Sequence, residues 1–265
     1  MIDLHTHILP GLDDGVKDED EAVEFARAAF ADGVRTLVAT PHSKDGFFEN
    51  GRAEVLAAVE RLQGKLREAG IGLTLLPGAE VYIAPDLVER VKDGRALTLG
   101  DNGKTLLLEL SLSQYPMELQ NLVFSLRLAG LVVLFAHPER IRYFQEDVRR
   151  WEEMVRLGAY GQITTGSVLG TFGEDAQEFS ELLLRRGLAH VLASDAHNLR
   201  GRPPILSRAV EAVAAIVGAE EARKMVSDRP RALLDGRDPE PPPVLERQAS
   251  KRSLLSRLFG RGEPV

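Results

Sequence analysis

The chain contains no cysteine. Disulfide staples, thiolate-held zinc and a cysteine nucleophile are therefore excluded, so an attacking group must be water, a hydroxyl or a carboxylate. A bilayer-spanning apolar run is missing too, since none approaches the ~20 residues that crossing requires. The N-terminus lacks a basic-then-apolar leader pattern, and Met1 stands almost against the first motif; a cytoplasmic location is expected. Nor is there an excess of positive charge. Lys and Arg number 33 against 40 Asp and Glu, a net charge of −7, which argues against a nucleic-acid partner, although a metal cluster can locally reverse the field of an acidic protein. What is present is ordinary for a globular protein: 265 residues, 44% hydrophobic and 28% charged, enough for one large barrel domain or two small ones.

Short apolar runs rich in Val, Ile, Leu or Thr predict strands at Ile2–His5, Thr36–Thr40, Leu73–Leu76, Leu106–Leu110, Val132–Ala136, Gly161–Thr165 and His190–Ser194. Between them the pattern predicts helices. Glu19–Ala31 begins with acidic residues and stops at Gly33, and Arg52–Ala69 stops at Gly70. Further helices are expected at Pro85–Lys92, Met117–Ala129, Glu146–Leu157, Glu174–Arg186 and Pro204–Val217. Alternation of this kind predicts an α/β fold with a parallel sheet and right-handed crossovers. Seven such units with chemistry at the strand ends favour a barrel over an open sheet. The body is expected to end near Gly236, giving a domain over 1–237 and an appendage over 238–265. Asp238–Pro243 reads as a stiff linker. Gln248–Arg261 sets Leu254, Leu255, Leu258 and Phe259 beside Lys251, Arg252, Arg257 and Arg261, either a flexible tail or a basic amphipathic contact for a membrane or partner.

Histidines and carboxylates recur where those strands end, and parallel strands bring their carboxyl ends to one face. His5 and His7 alternate along the first strand and so share a face, where they can hold one cation. Asp3 is placed to orient an imidazole from behind. His42, in Thr40-Pro41-His42, and His137, in Ala136-His137-Pro138-Glu139-Arg140, follow apolar strands directly. Glu80 and Glu109 are carboxylates in apolar surroundings, where each needs a cation or hydrogen-bond donors. Asp195 and His197 repeat the spacing of two. His190 starts a strand and is expected on the opposite face, in a structural role. Asp13, Asp14 and Gly15 lie before the first helix, where the acids either cap that helix or serve as metal ligand or general acid. Arg140 and Arg202, close to these ligands, suit a tetrahedral dianion. Nitrogen and oxygen donors without sulfur point to a divalent metal cluster, and hence to a metal-dependent hydrolase.

In order, Asp3-Leu4-His5-Thr6-His7, Thr40-Pro41-His42, Gly78-Ala79-Glu80, His137-Pro138-Glu139-Arg140 and Ser194-Asp195-Ala196-His197-Asn198 resemble the metal motifs of the polymerase and histidinol phosphatase (PHP) family. Ile8-Leu9-Pro10-Gly11-Leu12-Asp13-Asp14-Gly15, Gln162-Ile163-Thr164 with Ser167-Val168, and the stretch from Asn198-Leu199 to Arg202-Pro203-Pro204 are most similar to its CpsB/YwqE-type bacterial protein-tyrosine phosphatases. The resemblance covers residues 1 to about 235. It implies a distorted (β/α)7 TIM-like barrel with two or three divalent metals at the carboxyl ends of the strands, usually manganese, with iron, cobalt and zinc as alternatives. It implies hydrolysis of phosphotyrosine on a cognate bacterial tyrosine autokinase that controls capsule or exopolysaccharide export. Carried over, His5, His7, Glu80 and Asp195 hold one metal; Glu80, Glu109 and His137 a second; His42 and His197 a third, with Asp14 as a further ligand or the general acid. Arg140 and Arg202 match the phosphate-binding positions.

Two rivals use the same residues. A small-molecule phosphatase of the histidinol-phosphate type, or a phosphodiesterase, shares the metal chemistry and differs in loop shape. A non-catalytic metal-binding scaffold finds support in the basic tail, but it has no need of phosphate-ready arginines.

Overall fold

A computed structural model describes residues 1–245. Its strands are β1 (Ile2–Thr6), β2 (Thr36–Ala39), β3 (His42–Lys44), β4 (Phe48–Glu49), β5 (Thr74–Pro77), β6 (Glu80–Tyr82), β7 (Thr105–Glu109), β8 (Val132–Ala136), β9 (Ala159–Thr164) and β10 (Val191–Ala193). Each of the seven expected strands is present, displaced by at most two residues at either end. Apart from the β3–β4 hairpin, every pairing is parallel, as the alternation of strand and helix requires.

The hydrogen bonds divide the strands into one sheet in the order β1-β2-β5 and another in the order β10-β9-β8-β7-β6-β3-β4. The division has a local cause. Pro41 and the Pro77-Gly78 pair interrupt two neighbouring strands at the same level, because proline has no N–H for the ladder. Thr36 pairs with Thr74 before the break and His42 with Glu80 after it, in unchanged register. Thus β2–β3 and β5–β6 are two kinked strands shared by both sheets. His42 and Glu80, expected just beyond strands, instead lie within the resumed segments. At the outer edges, Thr6 bridges Ala196 in parallel, and Asp195 N–H donates to His5 O at 2.9 Å.

Neighbouring residues of one strand pack into different apolar clusters, as a sheet covered on both faces requires. Leu106, Leu108, Val133 and Phe135 join the large cluster that the surrounding helices cover. Leu107, Val132 and Leu134 meet Ile2, Leu4, Val38, Leu233 and Leu234 in a smaller one. The helix expected over Glu146–Leu157 begins earlier and divides into Arg142–Glu146 and Val148–Arg156, because Asp147 caps the second piece by accepting from Arg149 N. Two helices, Ala219–Met225 and Asp228–Leu234, follow the last one expected.

The second of these closes the amino ends of the strands. Ile2 N–H donates to Val226 O, and Thr105 Oγ1, at the start of β7, donates to Leu233 O at 2.6 Å. Residues 238–245 have no regular secondary structure but lie against this end. Asp238 pairs with Arg127 at 2.9 Å, Glu240 O accepts from Arg229 Nε at 2.7 Å, and Leu245 N–H donates to Arg185 O at 3.1 Å. The basic stretch Gln248–Arg261 lies outside the described residues. Among the described residues no helix is long and apolar enough to cross a membrane.

Candidate metal centre

The opposite, carboxyl ends of the strands carry the polar cluster. His5 is in β1 and His7 just past it; His42 opens β3, Glu80 opens β6, Glu109 ends β7, and His137 follows β8. Asp195 and His197 follow β10. The backbone is bent to present two of these side chains: His137 has φ 36° and Asp195 φ 51°, left-handed values that residues other than glycine rarely adopt. A third device is close approach. A β-carbon at Gly15 would lie 2.1 Å from His7 O, so only glycine lets the first loop fold back over that histidine.

The tautomers at the centre can be assigned from the surrounding bonds. Gln162 Nε2 donates to Ile163 O at 3.1 Å, which turns Gln162 Oε1 toward His5 Nδ1 at 2.8 Å. Nδ1 must therefore carry the proton, and Nε2 of His5 is a bare lone pair when the ring is neutral. His7 Nδ1 likewise faces Asp13 Oδ2 at 2.6 Å, leaving its Nε2 bare. These two Nε2 atoms are 3.2 Å apart. Glu80 Oε2 lies 3.2 and 3.5 Å from them, and Asp195 Oδ1 3.4 Å from each. With both rings neutral, four electron-pair donors converge with no proton between them, and Glu80 Oε2 is buried without a hydrogen-bond partner. Such a nest suits a cation, and its nitrogen–oxygen donors suit a divalent metal.

Two further groups adjoin it. His42 Nδ1 lies 3.0 Å from Glu80 Oε2 and 3.4 Å from Glu109 Oε2. On its far side His42 Nε2 is 3.6 Å from Asp14 Oδ1, which is 3.3 Å from His197 Nε2. His7, Asp14, His42 and His197 can converge on one point, as can His5, His7 and Glu80, and His42, Glu80 and Glu109. These groups differ from those implied by the resemblance in three respects: His42, not His137, is the imidazole beside Glu109, His7 joins His42, His197 and Asp14, and Asp195 falls in none of them. Phe48 stacks on the His42 ring, with the ring centres 5.5 Å apart. His137 Nε2 meets the other oxygen of Glu80, Oε1, at 2.9 Å.

Electrostatics express the same demand for positive charge. Burial opposes charging His7, yet Asp13 and Asp195 outweigh it and push the imidazole up to about 9. Burial is overcome again at His42, which Glu109 and Glu80 push up to about 11, and at His5, raised by Glu80 and Asp195. Burial would raise the Glu80 and Asp195 carboxyls, but the imidazoles around them, with Arg202 for Asp195, hold both well below the carboxylate range. His197 goes the other way: burial and the neighbouring His7 push it down to about 3.

Both arginines reach this centre. Arg140 Nη1 donates to Asp195 Oδ2 at 3.0 Å, and Arg202 Nη2 forms an ion pair with the same oxygen at 2.5 Å. Arg202 Nε is buried with no acceptor, a donor available to an anion. The guanidinium carbons of Arg140 and Arg202 lie 4.3 and 5.5 Å from the Phe172 ring centre, within cation–π range. Asn198 Oδ1 accepts from the backbone N–H groups of Arg200, Gly201 and Arg202 at 3.0, 2.8 and 3.2 Å and so fixes the loop that delivers Arg202. Together the two arginines, Leu112 and the ligand candidates other than His5 and His7 line a cavity of about 160 Å³. That space takes a phosphoryl group and leaves the remainder of a larger substrate outside.

Nine of the eleven expected site residues line this cavity; the other two, His5 and His7, are fully buried against Glu80 and Asp195. The supporting residues depart further from the sequence expectation. Asp3 Oδ1 accepts from Ser194 N at 3.0 Å and from the His5 backbone N–H at 3.4 Å, whereas the His5 ring is oriented by Gln162. The first helix is capped by Asp18, which accepts from Glu21 N; Asp13 instead binds His7 and the His42 backbone N–H. Gln162 announces itself as a polar residue in an apolar strand. Phe172 and Asn198 have no signal at the level of spacing. His190 lies outside the cluster, with Nδ1 accepting from Gly161 N at 3.0 Å.

Comparison with known proteins gives this arrangement relatives. Residues 1–235 match the family model for capsular polysaccharide synthesis, CpsB/CapC. The chain is 39% identical over 202 residues to the tyrosine-protein phosphatase YwqE of Bacillus subtilis, covering 76% of this chain and 79% of that protein. To the tyrosine-protein phosphatase CpsB of Streptococcus pneumoniae it is 30% identical over 239 residues, covering 88% and 98%. A solved structure from work on YwqE and CpsB, described as unique metal-dependent tyrosine phosphatases, matches with a TM-score of 0.85 at 35% identity, covering 91% of this chain and 99% of that one. The chain therefore belongs to the CpsB/CapC family.

Proposed function

We propose that this protein is a metal-dependent protein-tyrosine phosphatase, and that its substrate is a cognate bacterial tyrosine autokinase of capsule or exopolysaccharide export. The observation that carries this reading is the convergence of His5 Nε2, His7 Nε2, Glu80 and Asp195, bordered by two arginines. Two or three divalent ions, manganese first among them, would be held by His5, His7, Glu80 and Asp195, by Glu80, Glu109 and the flanking imidazoles His42 and His137, and by His42, His197 and Asp14. Asp14, within 3.6 Å of two imidazole nitrogens, is assigned as a ligand rather than a general acid. When bound, such ions lower the pKa of a water and offset charge on phosphoryl oxygens.

The chain's own residues supply the remaining work. Asp13 and Gln162 hold the His7 and His5 rings with their lone pairs inward. Arg140 and Arg202 bind the phosphoryl oxygens as charge builds on them, a preorganised field that needs no rearrangement during reaction. The leaving phenolate has a conjugate-acid pKa near ~10, so it departs with little help from a general acid. With no cysteine in the chain, a phosphocysteine route is closed.

Several structural assignments accompany the proposal. The kinked strands together with the Thr6–Ala196 bridge support reading the sheets as a distorted seven-stranded barrel. Residues 1–237 form the catalytic domain and 238–265 an appendage, and the protein acts in the cytoplasm. Metal-free and metal-reconstituted protein assayed on a phosphotyrosine peptide, histidinol phosphate and a phosphodiester tests the reading. Metal-dependent turnover greatest on the peptide is expected; faster turnover of histidinol phosphate overturns the tyrosine assignment, and no hydrolysis of any aryl phosphate favours a scaffold.

A further inference from the structure

Beside the metal centre, sharing Arg202 with it, runs a second groove of about 360 Å³, more than twice the volume of the metal cavity. Leu169, Phe172, Pro203 and Ile205 line it, and so do Arg200 and Arg208. No carboxylate is among its lining residues. Elsewhere on this net-acidic chain many exposed arginines rest on a carboxylate, such as Arg142 on Glu146 and Arg185 on Glu181. Arg200 and Arg208 are exposed, and among the described residues neither makes an ion pair.

The positions of these groups are fixed by the fold. Asn198 pins the backbone of Arg200 and Arg202 together, so one arginine serves the metal cavity and the other the groove from a single loop. Arg208 projects from the helix Ser207–Val217. Phe172 is held where it is by the lack of a side chain at Gly166, whose added β-carbon would lie 2.5 Å from the ring. A substrate whose phosphoryl group enters the small cavity must lay its remaining atoms on an adjoining surface, and this groove shares Arg202 with that cavity.

We infer that the groove receives the polypeptide flanking the phosphotyrosine, and that Arg200 and Arg208 select acidic residues there, an inference that rests on the phosphatase reading above. Guanidinium groups match carboxylates in geometry as well as charge. Because both arginines are exposed, each contact is worth a few-fold at most and weakens with salt.

The test compares phosphotyrosine peptides with Asp/Glu, Ala/Ser or Lys flanks, on the full-length, metal-loaded protein. The expected ratio of kcat/KM for acidic over neutral peptides is on the order of tenfold at low salt, two exposed pairs acting together. It should fall toward one in the Arg200→Ala/Arg208→Ala variant and shrink with added salt. The charge-swapped variant Arg200→Glu/Arg208→Glu should prefer the Lys-flanked peptide, a gain that misfolding cannot produce. Binding of unphosphorylated acidic peptide by fluorescence anisotropy gives a readout independent of turnover. Should hydrolysis fail while this binding is lost on substitution, the groove assignment stands and the phosphatase reading falls. Efficient hydrolysis with equal rates on all three flanks, or a preference unmoved by either variant, overturns the inference. So does substitution-sensitive binding to phosphatidylserine vesicles without peptide discrimination, which would assign the groove to a membrane.

Discussion

Both ends of the strands bury charge, and they do so in opposite ways. At the amino ends Arg229, 1% exposed, meets Glu221 at 2.6 Å, the Glu240 carbonyl at 2.7 Å and the His190 carbonyl at 3.4 Å. There a single cation is enclosed by acceptors of its own chain. At the carboxyl ends the same chain gathers imidazoles and carboxylates around Glu80 Oε2, with nitrogens of His5, His7 and His42 at 3.2, 3.5 and 3.0 Å. One end has its counter-charge built in. The other gathers several possible ligand atoms around an open cavity, so burial of charge by itself does not mark a site; the convergence of donors does.

Substitutions and solution conditions can break or sharpen this contrast. The largest effect is expected from chelation: removing metal should lower turnover of an aryl phosphate by about 1,000-fold or more, the several kcal/mol that such ions contribute. Circular dichroism should show the fold retained, since the amino end closes without them. Collapse of the fold on chelation would make the contrast false. Next, Arg229→Met leaves Glu221 buried without its partner and should destabilise the protein by roughly 3–5 kcal/mol. Urea titration reads that loss, while activity per folded molecule should be kept. Arg202→Ala is expected to cut kcat by about 100-fold or more by removing a preorganised charge, with little change in the urea midpoint.

Smaller effects refine the picture. Asp13→Asn removes the charge that holds the His7 tautomer, and metal affinity measured by calorimetry should fall about 10–100-fold. Unchanged affinity would make Asp13 a mere loop brace. At the amino end, burial and Arg229 push His190 down to about 3. A folded-state value below the unfolded one means the neutral ring stabilises the fold. That stability is complete above about pH 6.5 and is lost as pH falls toward about 3. His190→Asn should flatten this part of the urea midpoint against pH; an identical slope in both proteins would show that other groups carry it.

Much of the carboxyl end was legible because its chemistry sits at strand ends, where a short apolar run followed by His, Asp or Glu is a local pattern. His137 and Asp195 are instances, each directly after or near a buried strand. Pairwise geometry was less legible. The breaks at Pro41 and Pro77-Gly78 align only when two strands lie side by side, so His42 and Glu80 were expected in loops. Asp13 was weighed as a helix cap because sequence gives its distance from the helix and not from His7. Phe172 reaches the arginines through a turn after Gly170, a contact no periodicity encodes. The amino-end closure escaped as well, since Ala219–Met225 and Asp228–Leu234 are short helices whose partners are strand starts far away in the chain.

The left-handed bends at His137 and Asp195 decide which replacements can be interpreted. Asparagine tolerates positive φ, so Asp195→Asn deletes a negative charge and leaves the chain's path intact. Valine at the same place resists that path, and straightening it would drag the following Asn198 loop out of position. A scan that counts lost charge alone would score these two as equal, although one dissects a reaction and the other dismantles the corner on which it stands.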